Sequence, residues 1–206
     1  NLCWLSAGGY LADIIAFDTG PGNMIIDRTM LEVTNGNETF DRDGLAAKRG
    51  TVSEEMLVRL LDEDAYLNAM PPKSTGREYY GEDYFQSRIL GLSSRLGVTG
   101  DSLVATVTAF TAATIAQSFK RFLPEIPDRV IFGGGGTKNK ALMEMLQKRL
   151  PATKFSNSDE FGILSEAKEA VSFAILGYET LHHRPSNVPS ATGAKKSVIL
   201  GSIRRP

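Results

Sequence analysis

Three stretches of this 206-residue chain hold side chains whose type and spacing can do chemistry. The first is Phe17-Asp18-Thr19-Gly20-Pro21-Gly22-Asn23, reached from the apolar run Ile14-Ile15-Ala16-Phe17. A carboxylate at the end of a buried strand, followed by two glycines, permits a tight turn whose amides face an anion. Asp18 can position a metal or a sugar hydroxyl there, and Thr19 and Asn23 add hydrogen-bonding groups. The same residues also suit a plain turn that caps the next helix. The second stretch is Ile131-Phe132-Gly133-Gly134-Gly135-Gly136-Thr137-Lys138-Asn139. Glycines between a strand and a helix let a ligand rest on bare backbone near a helix N-terminus. The run lacks the Gly-Lys-Ser/Thr ending of a Walker A loop. It also misses the dinucleotide fingerprint, where Gly133 and Gly135 fit but Lys138 takes the last glycine's place. Ordering each glycine costs roughly 0.5–1 kcal/mol relative to alanine, so a run of them favours ligand binding over a bare turn. The third stretch is Glu166-Ala167-Lys168-Glu169-Ala170. Acidic groups suit the start of a helix through its dipole. Glu169 also stands about 200° around the helix from Ala167, so it can face a cleft while the alanine side packs.

Weaker features complete the set. Pro71–Glu78 places Lys73, Ser74, Thr75 and Arg77 on a stiffened loop that suits phosphate, sugar or plain solvent. His182 and His183 are neighbours, point apart and make no metal pair. Lys195-Lys196 and Arg204-Arg205 read as solvated ends.

Alternating strands and helices position these groups, which is the pattern of an α/β domain. Asn1–Leu5 and Leu11–Phe17 read as strands joined by a hairpin turn at Ser6-Ala7-Gly8-Gly9. A helix is predicted from Met24 to Leu31, then a long polar surface loop over Thr34–Gly50 with room for a helix start. Ser53–Leu61 is a helix capped by Ser53, Asn68–Glu78 is non-helical and Asp83–Leu92 is a short helix. Asp101–Leu123 is the longest helical pattern, with Asp101 as its cap. Its alanines and threonines let other backbones approach, which places it deep in the protein. Arg129–Phe132 is a strand, Lys140–Leu150 a helix capped by Asn139, and Lys154–Phe155 another strand. Ser165–His182 is a helix with Ala167, Ala170, Val171, Ala174, Tyr178 and Leu181 on its packed side. A loop over Arg184–Pro189 and a final strand at Ser197–Leu200 follow.

The 23 basic and 24 acidic side chains give a net charge of -1, which removes the usual electrostatic case for nucleic acid or an anionic membrane. A single cysteine, Cys3, forms no internal disulfide, and the default is a reducing, cytoplasmic location. No apolar run reaches the roughly 18 residues of a membrane span, and no secretory leader pattern opens the chain.

Several motifs occur in one order: AFDTGPGN at Ala16–Asn23, PPKSTGRE at Pro71–Glu78, ATVTAFTA at Ala105–Ala112 and FGGGGTKN at Phe132–Asn139. AKEAVSFA at Ala167–Ala174, NVPSATGA at Asn187–Ala194 and VILG at Val198–Gly201 follow. Together, over essentially the whole chain, these resemble the anhydro-N-acetylmuramic acid kinase family, including its levoglucosan-kinase-like branch. The resemblance implies one ribonuclease-H-like lobe of the sugar kinase/hexokinase/actin-like superfamily, a mixed sheet flanked by helices and incomplete at its N-terminus. It implies ATP-dependent hydrolytic opening of a 1,6-anhydro sugar coupled to phosphorylation at O6, with Mg²⁺ screening the phosphates.

By that resemblance Gly133, Gly134, Gly135, Gly136 and Asn139 form the nucleotide loop. Asp18, Thr19, Gly20, Gly22 and Asn23 form a loop on the phosphate and sugar side, and Glu169 helps hold the metal. The family's early phosphate loop and its general-base Asp have no counterpart here and are expected upstream. Residues 1–206 are then the second lobe, beginning at its second strand and acting with an absent N-terminal lobe. A homodimer is compatible with the Ala/Thr-rich helices. The other reading is a non-catalytic nucleotide- or sugar-binding or interaction module derived from that family.

Overall fold

A computed structural model describes residues 1–6, 9–10 and 13–204. The fold is α/β and mostly helical, with small sheets. Strands β1 (Leu2–Trp4) and β2 (Ile15–Phe17) pair antiparallel with Leu2 opposite Phe17, as the hairpin reading requires. The predicted turn and second strand include Ala7, Gly8, Leu11 and Ala12, which lie outside the described residues. Helix α1 (Met24–Val33) follows the glycine turn.

The stretch read as a long surface loop with room for a helix start holds a 3₁₀ turn, Arg42–Gly44, and helix α2 (Leu45–Arg49). Ala46 and Ala47 of α2 are buried, and the Asp41 carboxylate accepts both of their amide N–H groups at 2.8 and 3.0 Å. That long-reach cap leaves no sequence signature of the usual spacing. Helix α3 (Glu54–Asp62) starts as expected, with Ser53 Oγ accepting from the Met56 amide at 3.3 Å. Helix α4 (Ala65–Asn68) precedes the non-helical segment. The predicted short helix is one longer rod: α5 (Glu82–Tyr84), a π-helical stretch Phe85–Leu90 and α6 (Gly91–Leu96).

Helix α7 (Gly100–Phe122) is the axis of the molecule. It is long and apolar enough to cross a membrane, yet most of it is buried inside the protein as a core helix. Its threonines explain how a polar residue type tolerates that burial. Thr106 and Thr108 donate to the carbonyls of Ser102 and Val104 one turn back, so their hydroxyls are satisfied within the helix. Asp101 does not cap α7: Thr99 is the cap residue, and Asp101 instead pairs with Arg49 of α2 at 2.7 Å. One core packs Ile25, Met56, Leu60, Phe85, Ile89 and Phe110 between α1, α3, the π-containing rod and α7. A second packs Leu2, Phe17, Phe119, Leu142 and Leu146 under the hairpin.

Strand β3 (Arg129–Phe132), helix α8 (Lys140–Arg149) and strand β4 (Lys154–Asn157) make a βαβ unit, with β3 and β4 parallel. The expected single mixed sheet is therefore not formed among the described residues: the strands fall into two two-stranded sheets, one antiparallel and one parallel. The final strand at Ser197–Leu200 is also absent. Val198 is instead tied to the chain before it, its amide donating to Asn187 Oδ1 and its carbonyl accepting from Ser186.

Helix α9 (Lys168–Leu181) forms as predicted, but its apolar side does not pack. Val171, Tyr178 and Leu181 are exposed, with Phe173 73% exposed beside them. Periodicity identified an apolar stripe correctly, and among the described residues nothing covers it. Helix α10 (Pro189–Thr192) closes the fold where the loop was expected to end.

Candidate functional site

Helix α7 is the floor of the first glycine turn. Thr111 Oγ1 donates to the Gly22 carbonyl at 3.0 Å, and Thr114 faces Gly20. Gly20 has φ of +152°, and a Cβ there would stand 2.8 Å from Thr114 Oγ1, so only glycine fits. Thr19 is buried at the same place. Asn23 precedes α1 but makes no side-chain cap bond. Its amide instead lies against the second glycine run, where a Cβ on Gly136 would be 3.0 Å from Asn23 Oδ1. The turn-and-cap reading of Asn23 therefore fails, and the two glycine turns meet.

The second run leaves β3 and winds into a 3₁₀ turn over Gly135–Lys138. Gly133 sits against Ser158 and Lys168, while Thr137 bonds back to the Gly134 carbonyl. Asn139 caps α8 as predicted, its Oδ1 accepting from the Leu142 amide at 2.9 Å. Where the turns meet lies a cavity of about 350 Å³, lined by Asn23, Gly135, Lys138 and Asn139 with Ile26, Asp27, Phe40 and Asp41. That volume falls within the range of a small-molecule site.

Asp18 stands at the other end of its loop. Its amide donates to the Lys73 carbonyl at 3.1 Å, and its Oδ2 accepts from the Thr75 amide at 2.9 Å. A second cavity of about 420 Å³ opens there, lined by Phe17, Asp18, Pro72, Lys73, Ser74, Ala191 and Thr192 among others. Three of the sequence motifs, around Asp18, Lys73 and Thr192, thus converge on one hollow. The Lys73 ammonium donates to the carbonyls of Tyr66 and Leu67 and lies 4.5 Å from the Phe122 ring centre and 4.7 Å from that of Tyr66. Burial and then the Arg121 charge lower its pKa. The loop from Asp18 to Asn23 accordingly joins two hollows, with a carboxylate at one end and an amide at the other.

Glu169 lies apart from both hollows, exposed in the first turn of α9. Its neighbour Glu166 reaches the glycine run and pairs with Lys138. That pair raises the Lys138 ammonium pKa and lowers that of the Glu166 carboxyl. Among the described residues no group of three or more His, Cys, Asp or Glu could hold a metal ion by itself. His182 ends α9, exposed and packed on Tyr178. Lys195, Lys196 and Arg204 are exposed, and Arg205 lies outside the described residues.

Sequence reasoning missed Asp27, Phe40 and Asp41 in the first hollow. Asp27 was within reach, because it follows Asn23 by one helical turn and shares its face. Phe40 and Asp41 arrive from a segment far along the chain, with no motif of their own. Burial pushes the Asp27 carboxyl up to about 6, and among the described residues no side chain donates to it. A carboxyl that holds its proton more tightly folded than unfolded removes stability as pH rises from about 4 through about 6. Asp27→Asn is expected to raise the unfolding midpoint at pH 7 and to flatten its pH dependence over that window. An unchanged midpoint in thermal melts at pH 4, 5, 6 and 7 would contradict this.

The family model described as anhydro-N-acetylmuramic acid kinase matches residues 5–206. A protein of that name from Caldanaerobacter subterraneus subsp. tengcongensis is 45% identical over 205 residues, covering 98% of this chain and 51% of its own length. The namesake from Synechococcus elongatus is 38% identical over 206 residues, covering 98% and 54%. The one from Clostridioides difficile is 45% identical over 193 residues, covering 93% and 49%. The chain spans about half the length of the curated relatives it matches. With the match running through both glycine turns and the helix after them, the chain belongs to the anhydro-N-acetylmuramic acid kinase family.

Proposed function

We propose that this chain is the C-terminal lobe of an ATP-dependent anhydro-sugar kinase, and that the two glycine turns hold the nucleotide between them. The observation that carries this reading is the approach of Gly136 to Asn23 at the rim of the first hollow. Gly133–Gly136 and Asn139 take the adenosine side, with Phe40 and Ile26 as apolar wall. Asp18, Thr19, Gly20, Gly22 and Asn23 run from there toward the phosphates and the sugar. Backbone at glycine admits a ligand closer than any side chain would.

The reaction opens a 1,6-anhydro bond with water and passes the γ-phosphoryl group to O6. Phosphoryl transfer asks the protein mainly for positioning and charge stabilisation, which a fixed loop supplies. The general-base Asp belongs to the N-terminal lobe. The bare apolar face of α9, with Val171, Phe173 and Tyr178 exposed, supports a partner lobe of that kind. Mg²⁺ is held chiefly by phosphate oxygens and water and needs only one or two carboxylates. When bound it supplies charge neutralisation of the phosphates. Glu169, the carboxylate expected to help hold it, is exposed and lines neither hollow, so its placement does not fit that role. The location is cytoplasmic.

The test is a coupled ATP assay on the polypeptide that joins this chain to the other half of its relatives' length. Sugar-dependent ADP release is expected with 1,6-anhydro-N-acetylmuramic acid or levoglucosan, and none from residues 1–206 alone. ATP binding without sugar-dependent turnover in the joined protein would replace this reading with a non-catalytic binding module. Gly136→Ala brings a methyl group to 3.0 Å from Asn23 Oδ1. It is expected to weaken ATP affinity about tenfold, which is about 1.4 kcal/mol. Calorimetric titration checks it, and an affinity within twofold of wild type would remove Gly136 from the nucleotide site.

A further inference from the structure

We propose that the Tyr66 hydroxyl is a positioning group that sets the orientation of Asp18, with a buried tyrosine–carboxylate cluster at Asp64 as its anchor. The proposal rests on the kinase reading above for what Asp18 does, and on geometry for how it is held.

Asp64 is buried, and no cation forms a salt bridge with it among the described residues. Its charge is met by hydrogen bonds instead. Tyr79 Oη donates to Oδ1 at 3.0 Å, and Tyr80 and Tyr84 donate to Oδ2 at 3.0 and 2.9 Å. The Tyr66 amide donates to Oδ1 at 3.0 Å. The backbone of Tyr66 is therefore part of this cluster, and its ring packs 5.7 Å from Tyr79 and 5.8 Å from Tyr80.

The hydroxyl of Tyr66 does something different from the other three. It turns away from Asp64 and donates to the carbonyl of Asp18 at 2.9 Å. That bond ties the cluster to the site loop across 48 positions of sequence. Burial, and then the Asp18 charge, raises the Tyr66 pKa, so the group stays an O–H donor across the working pH range. With the Lys73 carbonyl on the Asp18 amide and the Thr75 amide on Oδ2, three polar atoms of Asp18 are fixed by one segment. Oδ1 accepts no hydrogen bond among the described residues and faces the Asn1 ammonium at 3.9 Å.

The test uses the joined full-length protein, with Tyr66→Phe as the variant. It keeps the ring and the amide bond to Asp64 and deletes only the hydroxyl. Ser53→Ala, which removes the α3 cap far from the site, is the control for lost stability. Turnover and Mg–ATP affinity are both measured. Tyr66→Phe is expected to lower kcat about tenfold with a much smaller change in the KM for sugar, and to weaken Mg–ATP binding about fivefold. Ser53→Ala is expected to leave both unchanged. Tyr66→Phe within twofold of wild type in both readouts overturns the proposal, as does an equal loss of kcat in Ser53→Ala. A wild type that binds Mg–ATP without turnover overturns the kinase reading alone, and the affinity of Tyr66→Phe then decides the positioning role. A wild type that does neither overturns both.

Discussion

Under the kinase reading proposed above, Asp18→Asn in the joined full-length protein is expected to lower kcat by about a hundredfold or more, on the scale seen when one preorganised polar group is lost from a transition state. The substitution keeps size and shape, and the amide oxygen can still accept from Thr75. What disappears is the charge at the end of β2, next to the hollow that collects Phe17, Lys73 and Thr192. A fixed carboxylate at that point accepts a hydrogen bond from a sugar hydroxyl more strongly than a neutral amide does. The unfolding midpoint should stay close to wild type, because Asp18 keeps its backbone bonds to Lys73 and Tyr66. A coupled ATP assay checks the prediction, and less than a threefold loss would remove Asp18 from the reacting centre.

Asp64→Ala should be the most destabilising single change away from the glycine turns. It strips the acceptor from the Tyr66 amide and from the hydroxyls of Tyr79, Tyr80 and Tyr84 in a buried setting. Each orphaned buried donor costs about 1–3 kcal/mol, and water entering the vacated space recovers part of that. A net loss of about 4 kcal/mol is expected, which lowers the thermal midpoint by on the order of 10 °C in a protein of this size. Asp64→Asn keeps one acceptor oxygen and should lose about half as much. Equilibrium denaturation of both variants settles the order. Loss of less than 1 kcal/mol in Asp64→Ala would mean that the cluster is solvated.

Much of the local structure around the candidate site was legible because local chemistry dictates it. Asn139 and Ser53 cap their helices where hydrogen-bonding geometry demands a short polar side chain. The strand Arg129–Phe132 matches its sequence reading residue for residue, since β-branched and aromatic residues ahead of a glycine run leave little choice. The Ala/Thr composition of α7 correctly placed that helix in the interior. Asp101 misled as a cap because Arg49, distant in sequence, offers it a stronger bidentate partner. The strand at Ser197–Leu200 failed for the opposite reason, since among the described residues it pairs with no other strand.

Family membership, the positions of the two glycine turns and the helices that follow them are properties of the sequence by itself. Each depends on residues a few positions apart, where spacing and side-chain type act directly on the backbone. The meeting of Gly136 with Asn23, the entry of Asp27 and Phe40 into that hollow, and the anchoring of Asp18 by Tyr66 were decided only by tertiary structure. Those contacts join residues 13 to 113 positions apart, and no local periodicity encodes them. They arise because α7, buried on every side from Leu103 to Thr114, carries both the floor of one turn and the packing surface for the helix behind the other.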